Sequence, residues 1–384
     1  MIFLSFAPEF SFLRAIRHLF TIGTKRHAKA LKTELQHRYK GAEVRLYHNG
    51  RTALAEAVRA LVPKDSKIAI NGLTCYAVPQ AVKTAGCTPV FVDINTRDFN
   101  FDIDKLQKTL ETDPKIRAII IQNHLGLAAD IITIEKLAKK HHLVIIEDLA
   151  HCAGSRYSDG REVGTVGAGV ALSFGKGKAV DTTQGGALTL RPNDTIKQEA
   201  APAEHRQTKP KFTERARDRI YPITGWLIRK TFRIGLGKAI AACSLKTHVI
   251  TRSAEGKVDP SLRPAHWQAK LALKQIKALD QTAKQRSSFA LEYGHPKTSS
   301  ILRIPFLVND RDKLLTKLRA HSIFLDDSWY EVPVSPKRYY SKANFPETDC
   351  PVATRVASQM INLPLLPKNK LEKALEIIRP EIIT

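Results

Sequence analysis

The chain of 384 residues is 43% hydrophobic, which is enough to bury the core of one large domain and a smaller one. Its five cysteines are scattered and lack the spacing of metal ligands, so we expect neither disulfides nor a metal site. The N-terminus has no basic segment before its apolar residues, and no uncharged apolar run reaches about 18 residues. We therefore expect a cytoplasmic protein without a cleaved signal or a membrane span.

The formal net charge of +24 is concentrated in two segments. Residues 1–40 contain eight Lys or Arg and two acidic residues, and residues 206–252 contain twelve and two. Such a basic surface is typical of contact with an anionic membrane, a diphosphate-bearing substrate or nucleic acid, or of a solvated face without a partner. Charge alone, without a recognition module, does not predict nucleic-acid binding.

Residues 220–238 mix Trp, Phe and Ile with basic residues, as helices at a membrane surface do. A buried helix that packs on the core explains the same residues equally well. A peripheral membrane contact through residues 206–250 is therefore one of two interpretations that stay open.

Strands and helices alternate between residues 50 and 190. In chain order the hydrophobic pattern predicts a helix at 52–61, a strand at 67–70, a helix at 77–85, a strand at 88–93, a helix at 105–110, a strand at 116–122, a helix at 134–140, and strands at 143–147 and 169–174. Strands rich in Val and Ile that alternate with helices predict a parallel sheet covered on both faces.

The pattern changes after residue 191. Residues 192–255 are polar and basic and indicate an insertion with some helix. Further on, the pattern predicts a helix at 265–279, a strand at 302–308, a helix at 311–320, a strand at 322–325, and helices at 352–360 and 370–378. We expect a basic and apolar segment at 1–45, a large α/β domain at 46–260, and a connecting helix with a small α+β domain at 261–384.

The most informative residue is Lys178. Asp148 ends a predicted buried strand, Ser173 lies five residues before the lysine, and the pair Gly185-Gly186 follows it. A lysine can form a Schiff base with pyridoxal phosphate, a carboxylate can hold the pyridinium nitrogen, and hydroxyls and backbone amides can hold the phosphate. Together these residues predict a pyridoxal phosphate site, with Lys176 as a rival nucleophile two residues out of step.

In their order and spacing, these features resemble the DegT/DnrJ/EryC1/StrS family of pyridoxal-phosphate sugar aminotransferases. The resemblance runs from about residue 46 to the C-terminus and includes residues 48–54, 85–94, 144–148, 261–269 and 362–367. It implies the type I fold, similar to aspartate aminotransferase, with a large, mostly parallel sheet domain and a small C-terminal α+β domain.

The resemblance also implies roles for individual residues. The implied catalytic residues are Lys178, Asp148 and His151. The implied cofactor contacts are Gly50, Arg51, Thr52, Cys75, Tyr76, Asp148, His151, Ser173, Lys178 and Ser261, and the implied substrate contacts are Arg263, Trp329 and Tyr330. In relatives the residue at the position of Ser261 reaches the neighbouring subunit's phosphate, so a homodimer is implied.

The sequence departs from the family pattern at several of these positions. Cys75 stands where relatives place an aromatic ring, with Tyr76 beside it, and Ser261 replaces an Asn. His151 replaces the commoner Gln, and Trp329 lies in a segment where relatives have His-Tyr. These departures concern the substrate more than the cofactor chemistry.

The expected activity is transfer of an amino group, from glutamate in the usual family reaction, to a keto-sugar that is nucleotide-linked. Lys178 favours transamination, because a dehydratase branch of the family has His there. Two alternatives stay open: a pyridoxal phosphate enzyme for an amino-acid or lipid-precursor substrate, and an inactive regulatory protein at a membrane surface.

Overall fold

The structure is a computed structural model that describes residues 2–3, 11–192, 207–247, 250, 256–325, 329–366 and 368–383. Pro367, in the segment 362–367 that resembles the family, and Ser328, next to Trp329, lie outside the described residues. So do residues 193–206, 248–249 and 251–255 of the predicted insertion. The predicted domain boundaries near residues 45 and 260 stay predictions.

A seven-stranded sheet forms the centre of the large part of the chain. The strands of the fold are β1 (Ile2–Phe3), β2 (Glu43–Tyr47), β3 (Lys67–Asn71), β4 (Thr74–Cys75), β5 (Thr88–Val92), β6 (Ile116–Ile121), β7 (Val144–Asp148), β8 (Gly169–Ser173), β9 (Gly186–Leu190), β10 (Arg303–Leu307), β11 (Ile323–Phe324), β12 (Val334–Ser335) and β13 (Met360–Pro364). The large sheet has the order β2-β9-β8-β7-β6-β3-β5. Strands β5, β3, β6, β7 and β8 are parallel, and β9 pairs antiparallel with both β8 and β2. The predicted, mostly parallel sheet is confirmed.

Fourteen α-helices lie in the described part of the chain. They are α1 (Phe12–Phe20), α2 (Lys25–Tyr39), α3 (Gly50–Leu61), α4 (Ala77–Thr84), α5 (Ile103–Thr112), α6 (Ile131–Lys140), α7 (Phe212–Thr231), α8 (Leu236–Lys246), α9 (His266–Lys277), α10 (Leu279–Glu292), α11 (Arg311–Ala320), α12 (Tyr340–Ala343), α13 (Pro351–Gln359) and α14 (Lys368–Ile378). Polar side chains satisfy the first backbone N–H groups of several: Asn49 caps α3, Asp102 caps α5 and Asp130 caps α6.

Helices cover both faces of the sheet because the strand side chains alternate between the faces. On β6, Ala118 and Ile120 pack with α3, α4 and the C-terminal elements, whereas Ile119 and Ile121 pack with α2, α5, α6 and α9. A near-continuous run of buried Ile is the consequence of this two-sided burial.

Several helices of the described residues were absent from the sequence prediction, namely α1, α2, α10 and the short α12. Helix α2 presents only Leu31, Leu35 and Tyr39 to the core among polar and charged residues, so its hydrophobic signal is weak. The helix predicted at 265–279 is correct for α9, but a second helix, α10, begins at Leu279 and continues to Glu292.

In the described parts of the chain, three pairs of shorter strands lie outside the large sheet. β1 pairs with β11, β4 pairs with β12, and β10 pairs antiparallel with β13. The β4–β12 ladder is functionally important because it attaches the segment after residue 329 to the loop that carries Cys75. The C-terminal elements therefore reach the carboxyl-terminal edge of the large sheet.

Candidate active site

Asp148 is the last residue of β7 and lies at the carboxyl edge of the parallel strands, where open α/β sheets bind ligands. Its neighbour Glu147 points to the opposite face, where Tyr157 Oη and the backbone N–H groups of residues 164, 166 and 167 donate to its carboxylate over 2.6–2.8 Å. Strand alternation therefore leaves Asp148, and not Glu147, to face the cavity.

The environment of Asp148 disfavours its charged form. Burial raises the pKa of Asp148 to about 6, against smaller opposing effects of the Ala150 N–H and of Lys178. The Ala150 N–H donates to Oδ1 over 3.0 Å. A cation next to the Asp148 carboxylate would lower the pKa of Asp148 again. The site therefore suits a protonated ring nitrogen.

The start of helix α3 lies against the end of β8. Asn49 caps the helix by accepting the Thr52 N–H at 2.8 Å. A Cβ on Gly50 would stand 2.6 Å from Ser173 Cβ, and a Cβ on Gly186 would stand 2.5 Å from Asn49 O. Glycine is therefore required at both positions, and the helix N-terminus lies directly beside the Ser173 hydroxyl, as an anion site requires.

Lys178 lies in the turn that follows β8. Its backbone N–H donates to Gly175 O over 3.3 Å, and Asp181 accepts the Gly177 N–H at 2.8 Å, which fixes the turn. Its Nζ lies 4.5 Å from the centroid of the Trp329 ring. Lys178 is also close enough to Asp148 to favour the charged carboxylate.

A chain of aromatic and imidazole rings forms one wall. The His151 and Trp329 rings are stacked, with centroids 4.5 Å apart and planes at 6°. Tyr330 Oη lies 3.1 Å from His124 Nδ1 and 3.4 Å from His151 Nδ1. Burial, reinforced by Lys178, lowers the pKa of His124 to about 3 and that of His151 well below its usual value, so both imidazoles are neutral. The guanidinium of Arg303 lies 3.7 Å from the Trp329 ring centroid.

These elements surround a cavity of about 850 Å³, a volume that includes its open mouth. Nine of the residues singled out in the sequence line it: Gly50, Arg51, Cys75, Asp148, His151, Ser173, Lys178, Gly185 and Tyr330. Residues from five separate stretches of chain thus meet at one place, which is typical of a binding site built at a sheet edge.

The other predicted residues lie outside the cavity lining. Thr52 Oγ1 is bonded to Asn49 Oδ1 at 3.0 Å and so supports the helix start. The Tyr76 ring stacks on Tyr339, with centroids 4.9 Å apart, and does not reach the cavity. Trp329 contacts the cavity through His151 and Lys178.

Two predicted residues lie further away in the same chain. The Ser261 hydroxyl donates to Asp259 Oδ1 over 2.6 Å, and Arg263 Nη1 lies 2.9 Å from His266 Nε2. Neither residue lines the cavity of its own chain. A direct role for them in this cavity is not found within a single chain.

Sequence reasoning missed several residues of the site. Asn49 lines the cavity, and its Asn-Gly pair before a helix was a recognisable capping signal. Gln122 follows β6 at the same sheet edge and accepts the Thr74 hydroxyl at 3.0 Å. Arg303 comes from β10, more than a hundred residues after Lys178, and no local pattern marked it.

The residues present fit pyridoxal phosphate. The cavity combines a lysine amine, a buried carboxylate that needs a cationic partner, and a helix N-terminus beside a serine hydroxyl, which suits a phosphate. The helix start can approach β8 and β9 this closely only because Gly50 and Gly186 lack a Cβ. Arg51, 7% exposed, adds a positive charge at the same place.

The fold and the site define a pyridoxal-phosphate-dependent aminotransferase with the type I fold. The chain belongs to the DegT/DnrJ/EryC1/StrS aminotransferase family, whose sequence profile matches residues 17–380. The resemblance seen in the sequence is thereby confirmed, together with the cofactor it implied.

Known relatives include enzymes of amino-sugar synthesis. The chain is 31% identical over 185 residues to the GDP-perosamine synthase of Caulobacter vibrioides, across 48% of this chain and 47% of that enzyme. It is 25% identical over 330 residues to the UDP-N-acetyl-3-dehydro-α-D-glucosamine 3-aminotransferase of Acidithiobacillus ferrooxidans, across 86% and 80% of the two chains. Spr1654 of Streptococcus pneumoniae, assigned as a sugar aminotransferase and solved in its pyridoxal phosphate form, shares the fold with a TM-score of 0.70 at 20% identity over 98% of both chains.

None of the helices in the described residues has both the length and the apolar content needed to cross a membrane.

Proposed function

We propose that the protein transfers an amino group from glutamate to a keto-sugar carried on a nucleotide, with Lys178 as the residue that binds the cofactor. The observation that supports this most is the convergence of Lys178, Asp148, Ser173 and the start of α3 on one cavity. The relatives named for perosamine and for an aminated glucosamine nucleotide support the substrate class.

When bound, pyridoxal phosphate supplies a ring that takes up the electron pair left when a proton leaves the carbon next to nitrogen. Asp148 is proposed to hold the ring nitrogen in its protonated form, because a buried carboxylate is stabilised by that charge. Gly50, Arg51 and Ser173 are proposed to hold the phosphate, with Thr52 keeping the helix start in place through Asn49.

Lys178 is proposed to attach the cofactor and, once released by the amino donor, to carry the proton away from one carbon and deliver it to another. Its position above the Trp329 ring holds the amine inside the cavity. His151, neutral and stacked on Trp329, is proposed to orient the cofactor through its other ring nitrogen, because Nδ1 accepts the Leu125 N–H at 3.4 Å.

Cys75 and Tyr330 are proposed to bound the space above the ring, since both line the cavity. Tyr76 is the other cofactor contact that the resemblance implies, and its stacking on Tyr339 supports Cys75 for that position instead. Trp329 and Tyr330 remain the proposed substrate contacts, and Tyr330 is buried to 2% exposure between His124 and the cavity.

The active unit is proposed to be a homodimer. Ser261 and Arg263 lie outside the cavity of their own chain, so their implied roles require the partner subunit's cavity. Sedimentation of a species of twice the 42.8 kDa chain mass is expected. A cytoplasmic location, with residues 206–250 in contact with a membrane, completes the proposal.

The test is amino transfer measured with a panel of substrates. L-glutamate is expected to yield 2-oxoglutarate in a first half-reaction, and GDP-, UDP- or dTDP-linked keto-sugars are expected to accept the nitrogen in the second. Lys178→Ala is expected to abolish both halves, whereas Lys176→Ala, in the same turn, retains them. Conversion of keto-acids or other non-sugar acceptors in place of keto-sugars would reject the substrate, and no half-reaction with any donor would reject the activity.

A further inference from the structure

The exposed apolar side chains of the described residues are concentrated at one part of the surface. Eleven large hydrophobic residues are exposed, and eight of them belong to α1, α7, α8 or their flanking turns. Ile22 and Ile234 are 76% and 78% exposed. Single exposed hydrophobic residues are ordinary on a protein surface, but a concentration of this kind marks an interaction surface.

Helices α1 and α7 lie side by side in opposite directions. Arg219 Nη1 donates to Leu19 O at 2.6 Å, and the rings of Phe12 and Trp226 have centroids 4.9 Å apart. The two contacts are seven residues apart on each helix. From the first contact to the second, the residue numbers fall along α1 and rise along α7, so the helices are antiparallel. The first residues of α1 consequently lie at the end of α7 that leads into α8.

Five exposed apolar residues belong to the start of α1, the last turns of α7 and the turn into α8, and we call them the docking surface: Phe12, Leu13, Leu227, Ile234 and Leu236. The exposed basic residues Lys230, Arg233 and Lys238 lie among them. Neither residues 11–33 nor residues 219–247 contain a single Asp or Glu. The surface is thus apolar and cationic, without acidic residues in the helices that form it.

The opposite side of α7 is part of the fold. Tyr221 and Ile228 are buried with Ala241 in a small core, and Phe232 packs on Phe324 of β11 with centroids 4.9 Å apart. The sequence of residues 220–238 is compatible with a buried helix or with a helix at a membrane surface. Each interpretation fits one face of the helix pair α7 and α8, because one face packs on the fold and the other is exposed. The helices that carry the docking surface are therefore fixed to the rest of the fold by their buried side.

We propose that the docking surface binds the anionic surface of a phospholipid membrane. Lipid acyl chains accept Phe, Leu and Ile at the level of the headgroups, and anionic headgroups attract the surrounding Lys and Arg. A second copy of the chain fits less well, because a two-fold contact would bring this cationic surface against itself without acidic residues to pair with. A nucleic acid also fits less well, because its phosphates would pair with the Lys and Arg but would give no apolar contact to the exposed Phe, Leu and Ile.

Membrane binding at this surface deepens the proposed function, and what it implies for the substrate rests on that function. Helix α7 also touches the turn that carries Lys178: Lys176 Nζ lies 4.0 Å from the Tyr221 ring centroid, and the Thr183 hydroxyl donates to Asp218 O over 3.2 Å. A membrane bound at the docking surface is therefore joined to the active site by a single helix. This geometry suits an enzyme whose aminated product is consumed by a reaction at the membrane.

The test is cosedimentation of the full chain with vesicles of phosphatidylcholine alone or mixed with phosphatidylglycerol. Binding to the anionic vesicles is expected, with little binding to the neutral ones. Lys230→Gln with Arg233→Gln is expected to weaken the partition coefficient about twenty-five-fold, at about fivefold for each charge removed. Ile234→Ser with Leu236→Ser is expected to weaken it about tenfold or more.

Matched controls come from exposed residues elsewhere in the chain. Lys136→Gln with Lys139→Gln on α6, and Leu291→Ser with Ile383→Ser, remove the same charges or similar apolar groups and are expected to leave binding unchanged. No binding to anionic vesicles, equal effects of test and control variants, or a halved sedimentation mass in the Ile234→Ser, Leu236→Ser protein would each overturn the proposal.

Vesicle binding and amino transfer can be tested independently of each other. Lys178→Ala is expected to bind vesicles as the wild type does, and Ile234→Ser with Leu236→Ser is expected to keep full turnover of a nucleotide-linked keto-sugar in solution. A protein that binds vesicles but transfers no amino group would reject the amino-transfer activity alone. Amino transfer without vesicle binding would reject the membrane contact and the docking surface alone.

Discussion

Replacing Asp148 with Asn is expected to stabilise the cofactor-free protein and to impair the loaded one. The carboxyl group lies in a buried cavity that raises its pKa from 3.8 to about 6. The folded protein without cofactor therefore bears the cost of a buried charge at neutral pH. An Asn side chain has no such charge, and its oxygen can still accept the Ala150 N–H.

The size of the effect follows from the two pKa values. A difference of about two pH units, at about 1.4 kcal/mol each, corresponds to about 3 kcal/mol in the free energy of unfolding. Because the folded state binds this proton more tightly than the unfolded chain, the wild type loses stability as the pH rises from about 4 to about 6. The advantage of Asp148→Asn is thus about 3 kcal/mol near pH 8 and about half of that near pH 5.

Urea unfolding of the cofactor-free wild type and variant, measured at a series of pH values, gives this difference directly. Titrations of other groups cancel because they are common to both proteins. Adding pyridoxal phosphate is expected to reverse the order, since only the carboxylate gains a cationic partner. A variant less stable than the wild type near pH 8, or an advantage that does not change with pH, would show that the buried Asp148 charge does not destabilise the cofactor-free protein.

Three further substitutions test other parts of the site. Gly50→Ala places a Cβ 2.6 Å from Ser173 Cβ, so we expect a loss of about 1–3 kcal/mol in unfolding free energy and weaker cofactor uptake, measured by denaturation and by absorbance titration. Glu147→Gln puts an amide donor among backbone N–H donors, so we expect a loss of about 2–3 kcal/mol in unfolding free energy without a change in cofactor affinity. A changed cofactor affinity would contradict the conclusion that Glu147 and Asp148 face opposite sides of the sheet. Trp329→Leu removes the stacking partner of the imidazole beside the cofactor, which we expect to lower kcat about tenfold while the Tm falls by only a few degrees; unchanged kcat would remove Trp329 from the site.

The sequence was sufficient for those parts of the fold that local patterns specify. The alternation of buried strands and helices from residue 50 to residue 190 predicted the parallel sheet, because two-sided burial leaves runs such as Ile119–Ile121. Asp148, Ser173 and Lys178 could be placed together because the carboxyl ends of adjacent parallel strands meet at one edge.

What the sequence could not supply depends on tertiary contacts. Arg303 reaches Trp329 from a strand in the C-terminal part, and neither residue marks the other by spacing. Tyr76 follows Cys75 directly, and only the stacking partner Tyr339 shows which of the two faces the cavity. The pairing of α1 with α7 likewise joins segments that lie about two hundred residues apart.

The central claim is that Lys178 carries the cofactor, and reductive trapping tests it most directly. The purified protein is loaded with pyridoxal phosphate, its visible spectrum is recorded before and after borohydride, and the modified peptide is identified by mass. We expect an absorbance band that bleaches and a reduced cofactor on Lys178, present also in Lys176→Ala and absent in Lys178→Ala. A colourless protein that takes up no pyridoxal phosphate, or a label on Lys176, would contradict it.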